Sequence, residues 1–77
     1  MNFQELEARF LEHLRRRIRS GELTERQLAR LSGISQPHVH NVLKGKRLLS
    51  LELADTILHA LRLDLRDILR PDEDGGT

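Results

Sequence analysis

The chain has no cysteine, no tryptophan and no tyrosine, and its only aromatic residues are Phe3 and Phe10. Without cysteine there is neither a disulfide framework nor a thiolate metal site, a composition suited to a reducing cytoplasm. With so few rings there is no platform on which successive unpaired bases could stack. No apolar run approaches the roughly 20 residues needed to span a bilayer, and MNFQELEARF lacks the basic-then-apolar order of a secretion signal. A soluble, cytoplasmic protein is therefore expected. The sequence also lacks a phosphate-cradling glycine loop and any constellation of nucleophile, acid and base, so it predicts no enzymatic activity and no cofactor. The one metal-like pattern, His38 and His40 as H-x-H, fails on geometry. Residues two apart on a helix point about 200° apart and cannot share one ion. Alternating apolar and polar residues are missing throughout, which leaves helices as the only regular structure to expect.

At 77 residues the chain is long enough for one domain, in which hydrophobic burial exceeds conformational entropy by little. The formal net charge of +1 conceals a strong division. Residues 1–14 hold one arginine against three glutamates, a net −2, and residues 48–77 hold three arginines against seven acids, a net −4. Between them, residues 15–47 hold nine basic residues against Glu22 and Glu25, a net +7. A basic zone confined to one part of a nearly neutral chain is the electrostatic footprint of a polyanion partner.

Apolar spacing outlines five helices. The first runs from about Asn2 to Arg19 with Phe3, Leu6, Phe10, Leu14 and Ile18 inward, at intervals of three and four. Thr24 caps the second helix, with Gln27 three residues on to complete a capping box, and Leu28, Ala29 and Leu31 form its apolar face. Gly33 ends it by adopting the left-handed conformation, and Ile34 holds the turn to the core. Ser35 caps the third helix, and Pro37 falls in its first turn, where the missing N–H had no intrahelical partner anyway. That helix buries a narrow stripe, Val39, Val42 and Leu43, and offers Gln36, Pro37, His38, His40, Asn41 and Lys44 outward. Gly45 closes it. Ser50 caps a fourth helix with Leu51, Ala54, Ile57, Leu58 and Leu61 inward, and Asp64 caps a short fifth with Leu65, Ile68 and Leu69. His13 and His59 are expected at helix surfaces. Pro71 stops the last helix, so a domain of residues 1–70 precedes an acidic, disordered tail of residues 71–77.

Two short helices joined by a glycine turn, the second dressed for contact rather than burial, have the form of a helix-turn-helix that reads duplex DNA. A small residue at Ala29, where two steeply crossing helices meet, then Gly33, then branched Val39, then Gly45-Lys46-Arg47, resembles the lambda-repressor/Cro-like (XRE) helix-turn-helix family. The similarity runs from about Leu23 to Leu69. It implies an all-α, five-helix, lambda-repressor-like DNA-binding domain with the third helix in the major groove. Arg62 stands where that family commonly has a helix-ending glycine. Glu25 stands where it often has a glutamine that touches phosphate, so that role is not carried over; pairing with a neighbouring arginine is expected instead.

From the residues themselves, Gln36 is the first choice for base reading, because an amide can donate to N7 and accept from N6–H of adenine. The resemblance implies the same position. Pro37 suits a thymine methyl, and Asn41 and His40 complete the reading set. Lys44, Lys46 and Arg47 follow the reading helix as phosphate clamps, with Arg26 and His38 as further phosphate contacts. The expected function is that of a sequence-specific transcriptional regulator, a repressor, bound to double-stranded DNA as a homodimer, with Leu48, Leu49 and the C-terminal helix, or else the long first helix, as the dimer surface. Two alternatives stay open: an antitoxin-type autorepressor that also binds a toxin, and a helical protein-interaction module without specific DNA binding.

Overall fold

The computed structural model describes residues 2–69 and contains five helices in the order α1 (Phe3–Arg19), α2 (Glu25–Ser32), α3 (Gln36–Leu43), α4 (Leu51–Ala60) and α5 (Leu65–Leu69), with no strand among the described residues. The expected domain end at residue 70 and the acidic tail lie outside the described residues, as do the side chains of Leu65 and Leu69. The caps expected at Thr24, Ser35, Ser50 and Asp64 are built, and Asn2, for which no cap role was expected, caps α1. The Asn2 side chain accepts from Glu5 N–H (2.8 Å), that of Thr24 from Gln27 N–H (3.0 Å), that of Ser35 from His38 N–H (3.2 Å) and that of Ser50 from Leu53 N–H (3.0 Å). At α5 the Asp64 carboxylate accepts from Arg66 N–H (2.7 Å), while Asp67 accepts from Asp64 N–H (2.9 Å). Each contact satisfies an amide that the first helical turn leaves without a partner.

Helix ends are equally specific. After α3 the chain passes through Lys44 to Gly45, whose φ of +78° lets Gly45 N–H reach the Val42 carbonyl (3.1 Å) and Lys46 N–H reach the Asn41 carbonyl (2.8 Å). This paired closure of a helix requires a left-handed residue at its centre. The same pair of bonds ends α4, from Arg62 N–H to His59 O (3.1 Å) and from Leu63 N–H to Leu58 O (2.9 Å), but there the left-handed residue is Arg62, at φ +56°. An L-residue in that region costs about 1–2 kcal/mol, against about 0.5–1 kcal/mol for the extra freedom that glycine loses on folding. Arg62→Gly is therefore expected to stabilise the domain by about 0.5–1 kcal/mol, which thermal melting would register as a rise of about 3–6 °C. An unchanged or lower midpoint would show that Arg62 bears no such strain.

The core gathers Phe10 and Leu14 from α1, Leu23, Leu28 and Ala29 around α2, Val39, Val42 and Leu43 from α3, Leu49, Ile57 from α4 and Ile68 from α5. Ile34 packs against it from the turn, as expected. Three residues expected inside are exposed, and one expected outside is buried. Leu31 is 48% exposed because the buried stripe of α2 is centred between Leu28 and Ala29, leaving Leu31 on its edge while Ser32 turns inward and donates to the Leu28 carbonyl (2.6 Å). Phe3 (55%) and Leu51 (69%) are each the first residue of a helix, with no preceding turn to cover them. Leu49, expected on an outer apolar surface beside Leu48, is buried, whereas Leu48 is 88% exposed. Neighbours in a non-helical connection point to opposite sides, so the core takes one leucine and releases the other.

His13 also departs from expectation. It is partly buried, and its Nε2 is enclosed with no hydrogen-bond partner among the described residues. Burial holds its pKa below the ordinary 6.5, and Arg17 and Arg16 push the same way against the weaker pull of Asp67 and Glu22. The unfolded chain therefore takes up this proton before the folded one does. The contribution of His13 is whole above about pH 6.5 and is lost as pH falls from there through the lower folded value. Melting temperature is expected to drop between pH 7.5 and 5, and His13→Gln to flatten that drop. Equal slopes for the two proteins would contradict the assignment.

Candidate nucleic-acid interface

The outward side of α3 follows from its buried one. With Val39, Val42 and Leu43 inside and about 100° per residue, Pro37, Asn41 and Lys44 lie opposite the core. Gln36 and His40 occupy one flank and His38 the other. All of these except Asn41 and His38 are exposed, and those two are half-buried. The helix begins at Gln36, so this residue sits directly after the Ser35 cap, where three hydrogen bonds of the turn converge: His38 N–H to Ser35, and Gly33 N–H (2.9 Å) and Ile34 N–H (3.2 Å) to the Ala29 carbonyl. Gly33, at φ +75°, permits the sharp change of direction. The first reading candidate thus stands on a fixed turn rather than on a mobile loop.

The far end of α3 is fixed as firmly. The Asn41 carbonyl accepts from Lys46 N–H and also from Arg47 N–H (3.2 Å), folding both cationic residues back beside the helix terminus. One further bond went unforeseen in the sequence. Arg15 on α1 donates through Nε to the Leu43 carbonyl (2.8 Å), with Nη2 reaching the same oxygen, while Nη1 lies 3.6 Å from Glu12. A guanidinium at the C-terminal carbonyls is favourable to the helix dipole, and here it couples the orientation of α3 to α1. Arg15 and Leu43 are 28 positions apart, and no periodicity in the chain signals such a contact.

The basic zone sorts into two groups. In α1, Arg17 pairs with Glu22 (3.4 Å) and Arg19 with Glu12 (3.0 Å), and the Arg19 hydrogen bond holds the Glu12 carboxyl below its ordinary pKa, aided by the nearby charges of Arg15 and Arg16. Among the described residues, no acidic side chain holds Arg26, Lys44, Lys46 or Arg47, and all four are exposed. Those are the cations assigned to phosphate from the sequence. An unpaired, exposed cation keeps its full charge for a polyanion.

Position also separates the two histidines. His38 lines a cleft with Ser32, Ile34, Arg47 and Leu48, towards α4. His40 turns the other way, its Nδ1 lying 3.2 and 3.3 Å from the two carboxylate oxygens of Glu25 at the start of α2. Glu25 was expected to meet an arginine; it meets a histidine, and that pair too was not foreseen. Arg15, Arg19 and Lys44 line the cleft beside Glu25, and none of them forms an ion pair with it at contact distance. Among the described residues no group of three histidine or acidic side chains is placed to hold a metal.

No helix among the described residues is long and apolar enough to cross a membrane. Comparison with curated proteins and with solved structures gave no match. Among protein families, the helix-turn-helix family matches residues 14–68, which span the C-terminal third of α1, the α2–turn–α3 unit, α4 and nearly all of α5. Membership carries DNA binding and the lambda-repressor-like fold with it, in agreement with an exposed third helix flanked by unpaired cations. The chain belongs to the XRE/Cro-like helix-turn-helix family.

Proposed function

We propose that this chain binds double-stranded DNA sequence-specifically as a homodimeric transcriptional repressor, with residues 1–70 as the binding domain and residues 71–77 as an appended acidic tail. The observation that carries the reading is the construction of α3. It has one buried stripe and one outward strip, is capped at Ser35 and closed at Gly45, and exposed unpaired cations stand at its end. Placed in the major groove, it brings Gln36, Pro37, His40 and Asn41 to base edges. Arg26, His38, Lys44, Lys46 and Arg47 then meet phosphates, and those contacts give affinity and register rather than sequence preference. Repression follows from occupancy, since a protein filling a duplex site excludes others from it.

Dimerisation is supported by two features. One short helix offers too few base contacts for useful specificity. A second copy also has somewhere to sit: an apolar groove of about 230 Å³ between α1 and α4, lined by Leu6, Phe10, Leu49, Ala54, Leu58 and Ile68, with the exposed Phe3 and Leu51 along it. Selection from random duplex DNA, combined with sedimentation of the complex, tests the whole reading. An enriched palindrome bound by two chains is expected. An enriched single half-site would remove the dimer, and no enrichment would replace specific binding with the protein-interaction alternative.

A further inference from the structure

The contact between Glu25 and His40 carries a chemical consequence for the base that His40 meets. An ionised carboxylate only accepts hydrogen bonds. Both its oxygens lie within 3.3 Å of His40 Nδ1, so this nitrogen is the one that carries hydrogen. In a neutral imidazole the other nitrogen, Nε2, is then an acceptor. His40 is exposed and stands one turn after Gln36 and one turn before Lys44 on the outward part of α3.

We propose that Glu25 is a positioning residue that fixes the tautomer of His40, so that position 40 presents a hydrogen-bond acceptor to the major groove and selects a base bearing an exocyclic amino group, adenine or cytosine. This rests on the DNA-reading role of α3. It also accounts for a carboxylate at the edge of a DNA-binding surface, where it otherwise only repels: Glu25 acts on the base through the ring rather than on the phosphate. Glu25 from α2 is the charged group at the ring; Arg15 and Arg19 from α1 line the cleft on the Glu25 side, with Lys44 one turn along α3.

The test uses the full chain and the site obtained from random duplex DNA. Affinities are measured at pH 8 for that site and for probes in which purine replaces adenine or 2-pyrimidinone replaces cytosine, one base at a time. At pH 8 one such amino deletion is expected to weaken the wild-type complex about tenfold and to leave His40→Ala unaffected. Glu25→Ala is expected to bind all sites more tightly, through loss of a negative charge, while its penalty for the amino deletion shrinks to within about threefold. A Glu25→Ala protein that changes affinity evenly and keeps the wild-type penalty would reduce Glu25 to a source of repulsion. An enriched site with no amino deletion dependent on His40 would overturn the inference and leave the DNA-reading role intact. No enriched site at all would overturn both.

Discussion

Leu14→Ala is expected to leave most of the protein unfolded at 37 °C and to abolish DNA binding there, although Leu14 is not among the residues on the outward side of α3. Leu14 is 1% exposed and, with Leu28, is one of the two largest fully enclosed side chains among the described residues. Truncation of such a leucine costs about 2–5 kcal/mol, part from lost transfer free energy and part from the cavity left behind. A domain of this size holds only about 5 kcal/mol in total. The loss is concentrated where it matters for the reading surface, because the next residue, Arg15, is the one that grips the Leu43 carbonyl at the end of α3. Urea denaturation at 25 °C followed by circular dichroism checks this, with a midpoint decrease of about 2 M or more expected at a slope near 1 kcal/mol/M. A loss below about 0.5 kcal/mol, the range of an ordinary surface change, would make α1 an accessory helix rather than part of the core.

That α1 belongs to the core was legible in the spacing of Phe10, Leu14 and Ile18, and the caps at Asn2, Thr24, Ser35, Ser50 and Asp64 were equally open to inspection except for the first, since the sequence outlined α1 without assigning its cap. Caps and periodic stripes are local: each depends on residues within three or four positions. What stayed hidden depends on distance along the chain or on the end of an element. Phe3 and Leu51 fit their helical stripes, but a stripe says nothing of whether a neighbour reaches the first turn. Leu48 and Leu49 are identical residues side by side, and only the path of the connection decides which one faces inward. The Arg15–Leu43 and Glu25–His40 contacts join positions 28 and 15 apart, and they arise only when α1 and α2 have packed around α3. For the interface itself, the outward strip of α3 could be read from three buried residues, but the partners that orient it could not.

Gln36→Ala and Lys46→Ala are expected to weaken DNA binding in different ways, and the difference tests the division of labour along α3. Gln36 is the first residue of the helix, exposed and held directly after the Ser35 cap. In the proposed mode its amide makes two bonds to one adenine, and their loss is worth about 1–3 kcal/mol, or roughly five- to 150-fold in Kd. Since alanine meets every base alike, the penalty falls on the preferred site, and discrimination at one base position disappears with it. Lys46 has another office: its amide is tied to Asn41, leaving the exposed ammonium beside the helix end. A phosphate contact there carries no sequence information, so Lys46→Ala should weaken preferred and random duplexes by the same factor. It should also lower the slope of log Kd against log salt by about 0.9, one released counterion. Titrations of both variants at several salt concentrations, on the selected site and on its single-base variants, separate the two effects. A Gln36→Ala protein with unchanged base preference and a reduced salt slope would mean that the amide holds backbone, and that reading is done further along the helix.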